Sequence, residues 1–445
     1  MDLINNTPPH KKILFALLFF WMFPPVLKLF PGVVFQTNLI IISIPAFLGL
    51  VGYFKYKRQS RVSNTVLILM ILGFVYILMY EFIGVLIGVI DFNFTKEYVM
   101  GFMLFFSAYY IVSQYKFYYG NKFLEVLLIH MFYIGAIHSF LILSVAFFAN
   151  FKELFYEVIW LTGRQEKYTF GDVFNHRYSG LLSTGLSSLS TTHATLLSIG
   201  LFCLHRVGDF KFIKLMLFAA SSVGIFLSLI FIGRSGFVVL GMYMLVFSCL
   251  YLYNFIINLK VSYFSVKVFI FVVLAVLLSI SAFDSEKYTN ELASSFDFII
   301  RFIETGVIRE YSVDTILESH LIFPSDPFGL LFGTANFGRG SMPIPSDLGV
   351  VYLVNGIGIV GTLFVFSCFF ILLYYAYLFK KDFKLMFYFI LVFEVLLIVL
   401  NFKDLYFLGF TGFSKIFFIF TFMYHFIYLE RVTYEKESRK VKLHG

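Results

Sequence analysis

Two arginines in compact motifs are the residues of this chain best suited to chemistry. Arg177 stands in HRYSG, and Arg234 stands in GRSG, a very short turn between two apolar runs. A guanidinium stays protonated at biological pH, and its planar fork matches phosphate oxygens in two-point contact. We therefore predict that both bind phosphate, with Arg234 the stronger candidate. The simpler alternatives are that Arg234 extends to lipid headgroups and that Arg177 is a solvated loop residue.

A mostly polar segment late in the chain, residues 283–346, supplies further candidates. Apolar residues from Phe296 to Val307 recur at i, i+3, i+4, i+7 and i+11, which predicts an amphipathic helix. A second helix is predicted to begin at the N-cap Ser312 and to end at SDP, 325–327. The segment carries three arginines, Arg301, Arg309 and Arg339, and two candidate general bases, His320 and Glu304; a third candidate base, Asp347, directly follows it. A histidine on an apolar helical face is more often a packing residue than a catalyst.

Several polar residues fall inside apolar runs, where ionisable groups are functional candidates by default. They are Glu81, Glu394, His130, His138, and His193 in the hydroxyl-rich LLSTGLSSLSTTHATLLSIG. Serine and threonine at this density commonly serve close helix packing, so a transport or proton-relay role is the weaker interpretation. The histidines at 130 and 138 share a helical face but lack the compact cluster of a metal site. We expect no metal and no cofactor.

Composition determines the class of protein that must position these residues. Hydrophobic residues make up 60% of the chain and charged residues 13%, and the mean hydropathy is +0.87. This predicts an all-α polytopic membrane protein, one integral unit over residues 1–445. A crossing needs about 20 apolar residues, and about twelve such runs are present, with eleven or thirteen as alternatives. They start near Ile13, Val34, Thr65, Tyr98, Phe123, Gly185, Phe212, Ser235, Tyr263, Leu348, Leu385 and Ser414.

Basic residues gather in alternate connections between these runs, which predicts the orientation. Counting them places both termini in the cytoplasm, with a shorter loop at 150–184 and a large loop at 283–346 facing outward. The large loop falls between predicted helices 9 and 10. The net charge of +8 then expresses this asymmetry and contact with anionic lipids, and no nucleic-acid role is indicated.

The order of the motifs resembles the O-antigen polymerase (Wzy-type) family of bacterial envelope proteins. The elements are GRSG after an apolar helix, the polar loop, LIFP, FGTANFGRG and SDLGVVYLVNGIGIVG, spanning roughly Arg177 to Gly361. The resemblance implies a fold like that of the multispanning, lipid-dependent (GT-C-like) glycosyltransferases. It also implies an inner-membrane enzyme that transfers a growing glycan from undecaprenyl pyrophosphate onto a lipid-linked repeat unit at the outer face. A chain-length regulator is a further partner of such a protein.

The related O-antigen ligases share this layout but typically place a histidine at the start of the helix after the large loop. Here Asp347 holds that place, which favours a polymerase over a ligase. Arginines would stabilise the pyrophosphate leaving group, and one of the three candidate bases would accept the proton of the attacking hydroxyl. A lipid-linked glycan flippase or transporter is the alternative from another class, although the chain shows no matching halves.

Overall fold

The computed structural model describes most of the chain and is predominantly helical. The described residues are 8–30, 33–55, 60–170, 177–183, 186–206, 212–233, 235–258, 320–338, 344, 346, 348–402 and 411–444. The chain packs as two compact units. Unit 1 comprises Met1–Ile42 and Gln114–Ile308, and unit 2 comprises Ser43–Ser113 and Arg309–Gly445.

Unit 1 is built around two neighbouring helices. Its helices are α1 (Pro9–Met22), α5 (Phe123–Phe147), α6 (Ala149–Val158), α7 (Gly163–Phe170), α8 (Leu186–Arg206), α9 (Phe212–Ile232) and α10 (Ser235–Asn258). It also includes the first residues of α2 (Thr37–Lys55), up to Ile42, and the last residues of α4 (Asn93–Tyr119), from Gln114. The remainder of both helices belongs to unit 2. Helix α5 packs against α1, α6, α8 and α9, while α8 also packs against α9 and α10.

A β-hairpin follows α1, where the sequence predicted the start of a second crossing near Val34. Strands β1 (Val26–Phe30) and β2 (Val33–Gln36) pair antiparallel. Pro24 and Pro25 precede β1, and prolines lack the N–H that would continue the helix. Trp160 N donates to Val26 O at 2.8 Å, which ties the hairpin to the segment after α6. The crossing α2 therefore begins at Thr37, directly after β2.

Unit 2 is built around a long helix with a break in its middle. Its helices are the rest of α2 and α4, α3 (Arg61–Leu86), α11 (Pro327–Phe332), α12 (Gly349–Leu378), α13 (Lys384–Asn401) and α14 (Gly412–His444). Helix α12 packs against α3, α11, α13 and α14. The predicted break at SDP is also a helix start, because the Asp326 side chain caps α11 by accepting from Gly329 N at 2.5 Å.

Seven helical segments of the described chain are long and apolar enough to cross a membrane, which confirms a multi-pass membrane protein. One of the seven, Asn93–Phe147, contains both α4 and α5. The predicted runs near Ile13, Gly185 and Ser235 form α1, α8 and α10, which are not among the seven. The run near Tyr263 lies outside the described residues. The total of about twelve crossings, the large loop and the GT-C-like fold stay predictions.

Candidate functional site

The backbone of Arg177 is held by α7 in unit 1. Arg177 N donates to Tyr168 O at 3.1 Å. Its carbonyl oxygen accepts from Gln165 Nε2 at 2.9 Å and from Thr169 Oγ1 at 3.3 Å. Gln165 and Thr169 are four residues apart, so both side chains reach from one face of the helix, and both are buried. The half-buried Arg177 guanidinium lies 5.7 Å from the centre of the Tyr168 ring.

The residues after Arg177 bind the helices of unit 1 at two points. Tyr178 N donates to Phe231 O, in the last turn of α9, at 2.9 Å. Leu181 N donates to His138 Nε2, on α5, at 3.2 Å. The loop that carries Arg177 is therefore attached by its backbone to α5, α7 and α9.

Two buried histidines form a closed network beneath this loop. A backbone N–H only donates, so His138 Nε2 must accept from Leu181, and the proton of the neutral ring lies on Nδ1. His138 Nδ1 then donates to His193 Nε2 at 2.9 Å. The remaining His193 nitrogen, Nδ1, donates toward Ser139 Oγ at 2.9 Å and Ser228 Oγ at 3.1 Å. All four ring nitrogens have partners, so the pair holds the Arg177 loop and leaves no nitrogen for a substrate.

Sequence spacing had associated His138 with His130, but tertiary structure pairs it with His193. His130 instead bonds to Tyr115, whose hydroxyl lies 2.8 Å from His130 Nδ1. His138 and His193 lie on α5 and α8, 55 residues apart in the chain. A shared position inside apolar runs was the only signal in the sequence, and it does not indicate which histidines meet.

The turn that contains Arg234 is anchored on the first turns of α8. Ser190 Oγ donates to Gly233 O and accepts from Gly236 N at 2.8 Å. Ser235 Oγ donates to Ser187 O at 3.2 Å. A Cβ on Gly236 would lie 2.8 Å from Ser190 O, so only glycine fits this close approach. Arg234 itself lies outside the described residues, but both of its neighbours in the chain are bound to α8.

Hydroxyls on α8 therefore divide into two groups. Four donate to carbonyls one turn earlier in the same helix: Thr191, Thr192, Thr195 and Ser198. The hydroxyls of Ser187 and Ser190 instead contact Ser235 and Gly233, the two neighbours of Arg234 in the chain. Ser190 and His193 are three residues apart, so neighbouring positions on α8 support the Arg234 turn and the Arg177 loop.

His320 lies in unit 2, beside the start of α12. Its carbonyl oxygen accepts from Ser346 Oγ at 2.8 Å. Asn355 Nδ2, on α12, donates to Ile322 O at 2.7 Å. The His320 side chain is half-buried, and its Nδ1 atom is buried with no hydrogen-bond partner among the described residues. Of the eight predicted site residues, His320 and Arg177 are described, and they belong to different units.

The other six predicted site residues lie outside the described part of the chain. They are Glu304, Asp347, Arg234, Arg301, Arg309 and Arg339. The amphipathic helix predicted between Phe296 and Val307 also lies there. Their predicted roles stay predictions.

The glycine-rich motifs have a structural explanation within unit 2. Gly358 has φ +70° and ψ 178°, which breaks α12. The freed carbonyls of Asn355 and Gly356 accept from Thr334 N at 2.7 Å and Ala335 N at 3.0 Å. A Cβ on Gly358 would meet the backbone of residues 331 and 332, so FGTAN and NGIG form one close backbone contact. The arrangement satisfies every carbonyl named here inside an apolar bundle.

The two acidic residues predicted inside apolar runs differ in environment. Glu81, on α3, caps the first turn of α4: its Oε1 accepts from Phe94 N at 3.0 Å and Thr95 N at 3.1 Å. That is a structural role, because it satisfies orphan donors of a helix start. Glu394, on α13, is buried, and neither carboxyl oxygen has a hydrogen-bond partner among the described residues.

Within the ranges that the structure describes, no three His, Cys, Asp or Glu side chains are grouped as metal ligands would be. Comparison with protein-family models, curated proteins and solved structures finds no match to this chain.

Proposed function

We propose that this membrane protein is a Wzy-type glycosyltransferase that polymerises lipid-linked oligosaccharide repeat units. It would move a growing glycan from undecaprenyl pyrophosphate to the hydroxyl of an incoming lipid-linked unit. The reaction would take place at the outer face of a bacterial inner membrane, with both termini in the cytoplasm. Its product would be O-antigen or a related surface polysaccharide.

One observation carries the proposal: the loop that bears Arg177 is bound at the C-terminal end of α9, and the turn around Arg234 begins directly after that end. Tyr178 N binds Phe231 O, and Ser190 holds Gly233 O only two residues further along the chain. Two segments far apart in the sequence, the one that carries Arg177 and the residues on either side of Arg234, thereby share one support, the end of α9. Such a support suits a diphosphate, which has oxygens for two guanidinium forks.

The chemistry requires positive charge on the leaving group. Breaking the sugar–phosphate bond places negative charge on the pyrophosphate, and arginines held in advance stabilise that charge without reorganisation. A loop arginine, Arg301, Arg309 or Arg339, would complete the clamp. The attacking hydroxyl must also lose its proton, for which His320, Glu304 and Asp347 are the proposed bases. His320 Nδ1 is buried and has no hydrogen-bond partner among the described residues, which supports that role for His320.

The proposal is tested by returning single variants to a strain that lacks the chain. Arg177→Ala and Arg234→Ala should each lower long-chain polysaccharide by about 100-fold or more, the usual effect of removing one donor to a developing anion. Arg177→Lys should restore activity only partly, because a point charge does not reproduce a two-point contact. The readout is the ladder of surface polysaccharide on a gel.

Arg431→Ala is the matched control, because that exposed arginine pairs with Asp382 at 3.7 Å on unit 2 and should leave the ladder intact. Membrane levels and melting temperatures of all variants should match the parent protein. A normal ladder from both Arg177→Ala and Arg234→Ala would refute the clamp. Loss of every attached repeat unit on deletion, rather than of the long ladder alone, would favour a flippase or a ligase.

A further inference from the structure

One surface of unit 1 exposes large apolar side chains outside the membrane-crossing segments. It is formed by the hairpin β1–β2 and by α6. We call this surface the apolar platform, defined by Leu29, Phe30, Val33, Phe148, Leu154 and Val158. Phe30 is 73% exposed and Leu154 64%. A side chain of this size is rarely left in water in such a contiguous group.

Helix α6 separates its side chains into three faces. At about 100° per residue, Phe151, Leu154 and Val158 fall within an arc of about 60°. The exposed Glu153 and Glu157 are centred about 110° from that arc. Tyr156 lies on a third face and is buried against the protein. The helix therefore has one apolar exposed stripe, one acidic exposed stripe and one face that packs.

The hairpin and α6 are bound to one another, so their apolar residues form one surface. Leu27 bridges to Ile159, and Trp160 N donates to Val26 O at 2.8 Å. Lys28 Nζ, on β1, donates to Tyr156 O in the last turn of α6 at 2.8 Å. A lysine at this place satisfies a carbonyl that the helix end leaves without an intrahelical partner.

Both parts of the platform also connect directly to membrane-crossing segments. A single residue, Phe148, separates the end of α5 from the start of α6. Strand β2 ends at Gln36, and α2 begins at Thr37. At about 3.3 Å per strand residue and 1.5 Å per helical residue, neither part extends more than about 16 Å from a crossing. The platform therefore lies close to the start of α2 and the end of α5.

We infer that the apolar platform lies in the interfacial layer of one membrane leaflet. Its occupant is bilayer lipid: the acyl chains cover Phe30, Leu154 and Val158, while Glu153 and Glu157 face water. This is the arrangement of an interfacial amphipathic helix, extended here by a hairpin. It also places Lys28, on β1, at the edge of the bilayer. The inference does not depend on the proposed enzymatic reaction.

Nitroxide labels on single cysteines test the inference in nanodiscs of phosphatidylethanolamine and phosphatidylglycerol. The background is Cys249→Ser, which removes the exposed native cysteine and leaves the buried Cys203 and Cys368. Labels at Leu154→Cys and Val158→Cys should collide with oxygen at least about threefold more often than with a water-soluble nickel chelate, because polar reagents are excluded from apolar phases. Phe30→Cys should behave in the same way.

Glu153→Cys and Glu157→Cys are the matched controls, because each is adjacent to a lipid-facing position on the same helix. Labels there should show the reverse preference, for the nickel chelate. Water-like collision rates at Leu154→Cys and Val158→Cys would overturn the inference. Labels at those positions that are immobile and reached by neither reagent would also overturn it, since they would show a protein partner or a second copy on the platform. Because all five positions are exposed, the variants should fold.

Discussion

Replacement of His138 by phenylalanine tests whether the buried histidine pair holds the Arg177 loop. The change keeps an aromatic ring stacked on Phe23, whose ring centre lies 4.1 Å from that of His138 at an interplanar angle of 2°. It removes the acceptor for Leu181 N–H and the donor to His193 Nε2. The loss is therefore of hydrogen bonds and not of packing volume.

The magnitude follows from counting the groups left unpaired. Each buried, unsatisfied polar group costs about 1–3 kcal/mol, so the two groups left by His138→Phe destabilise by about 2–6 kcal/mol. His193→Phe leaves only His138 Nδ1–H without a partner, because Ser139 and Ser228 still bond to each other at 3.0 Å. It should cost about 1–3 kcal/mol. The double variant leaves only Leu181 N–H unpaired and should also cost about 1–3 kcal/mol.

The double variant should consequently be more stable than additivity predicts by about 2–6 kcal/mol. The assay is unfolding in mixed micelles of increasing denaturing detergent, followed by circular dichroism, for the parent, both single variants and the double variant. A control cycle pairs His138→Phe with His130→Phe. Because His130 bonds to Tyr115 and not to the histidine pair, the effects of these two changes on the free energy of unfolding should be additive. Additivity of the His138 and His193 changes within about 0.5 kcal/mol would refute the network.

Two further changes follow from backbone geometry and from burial. Gly358→Ala should destabilise by about 3 kcal/mol or more, since φ is +70° and the new Cβ would lie 2.5 Å from Phe332 N. Gly241→Ala, where a Cβ meets nothing within 4 Å, should be neutral or stabilising by up to about 1 kcal/mol in the same unfolding assay. Burial raises the pKa of Tyr156 above its ordinary 10.0, so the stability that its neutral phenol provides is lost as pH rises above 10. Tyr156→Phe should flatten that decline above pH 10, because phenylalanine carries no ionisable group; an unaltered alkaline decline would contradict this.

The sequence predicted α2 and the helices around it well because long apolar runs have few alternatives in a bilayer. It missed the hairpin for the same reason. VVFQ is apolar enough to be taken for the start of a crossing, and only its pairing with VLKLF, which has Ile159 beside Leu27, distinguishes it from a helix. Apolar character indicates burial or lipid contact but not backbone conformation.

Short motifs were predicted as important with little indication of why. The glycines of FGTAN and NGIG are required by one backbone contact between segments about 20 residues apart, as shown by Thr334 N on Asn355 O. Ser190 was expected to pack helices but binds the turn around Arg234. The residue types marked these positions as candidates for a special role. Only the structure shows the segment that each position contacts, and that contact explains why a glycine or a serine is needed there.

Composition and apolar periodicity were sufficient to establish a multi-pass helical membrane protein, because burial of apolar surface depends on residue type and not on which residues meet. The sequence alone also identified the arginines as candidates for phosphate binding, since a guanidinium carries its charge in any fold. Tertiary structure was needed to pair His138 with His193 and to attach the segments of Arg177 and Arg234 to one helix end. Those contacts join residues tens of positions apart, and their geometry depends on how the helices pack, which no local pattern specifies.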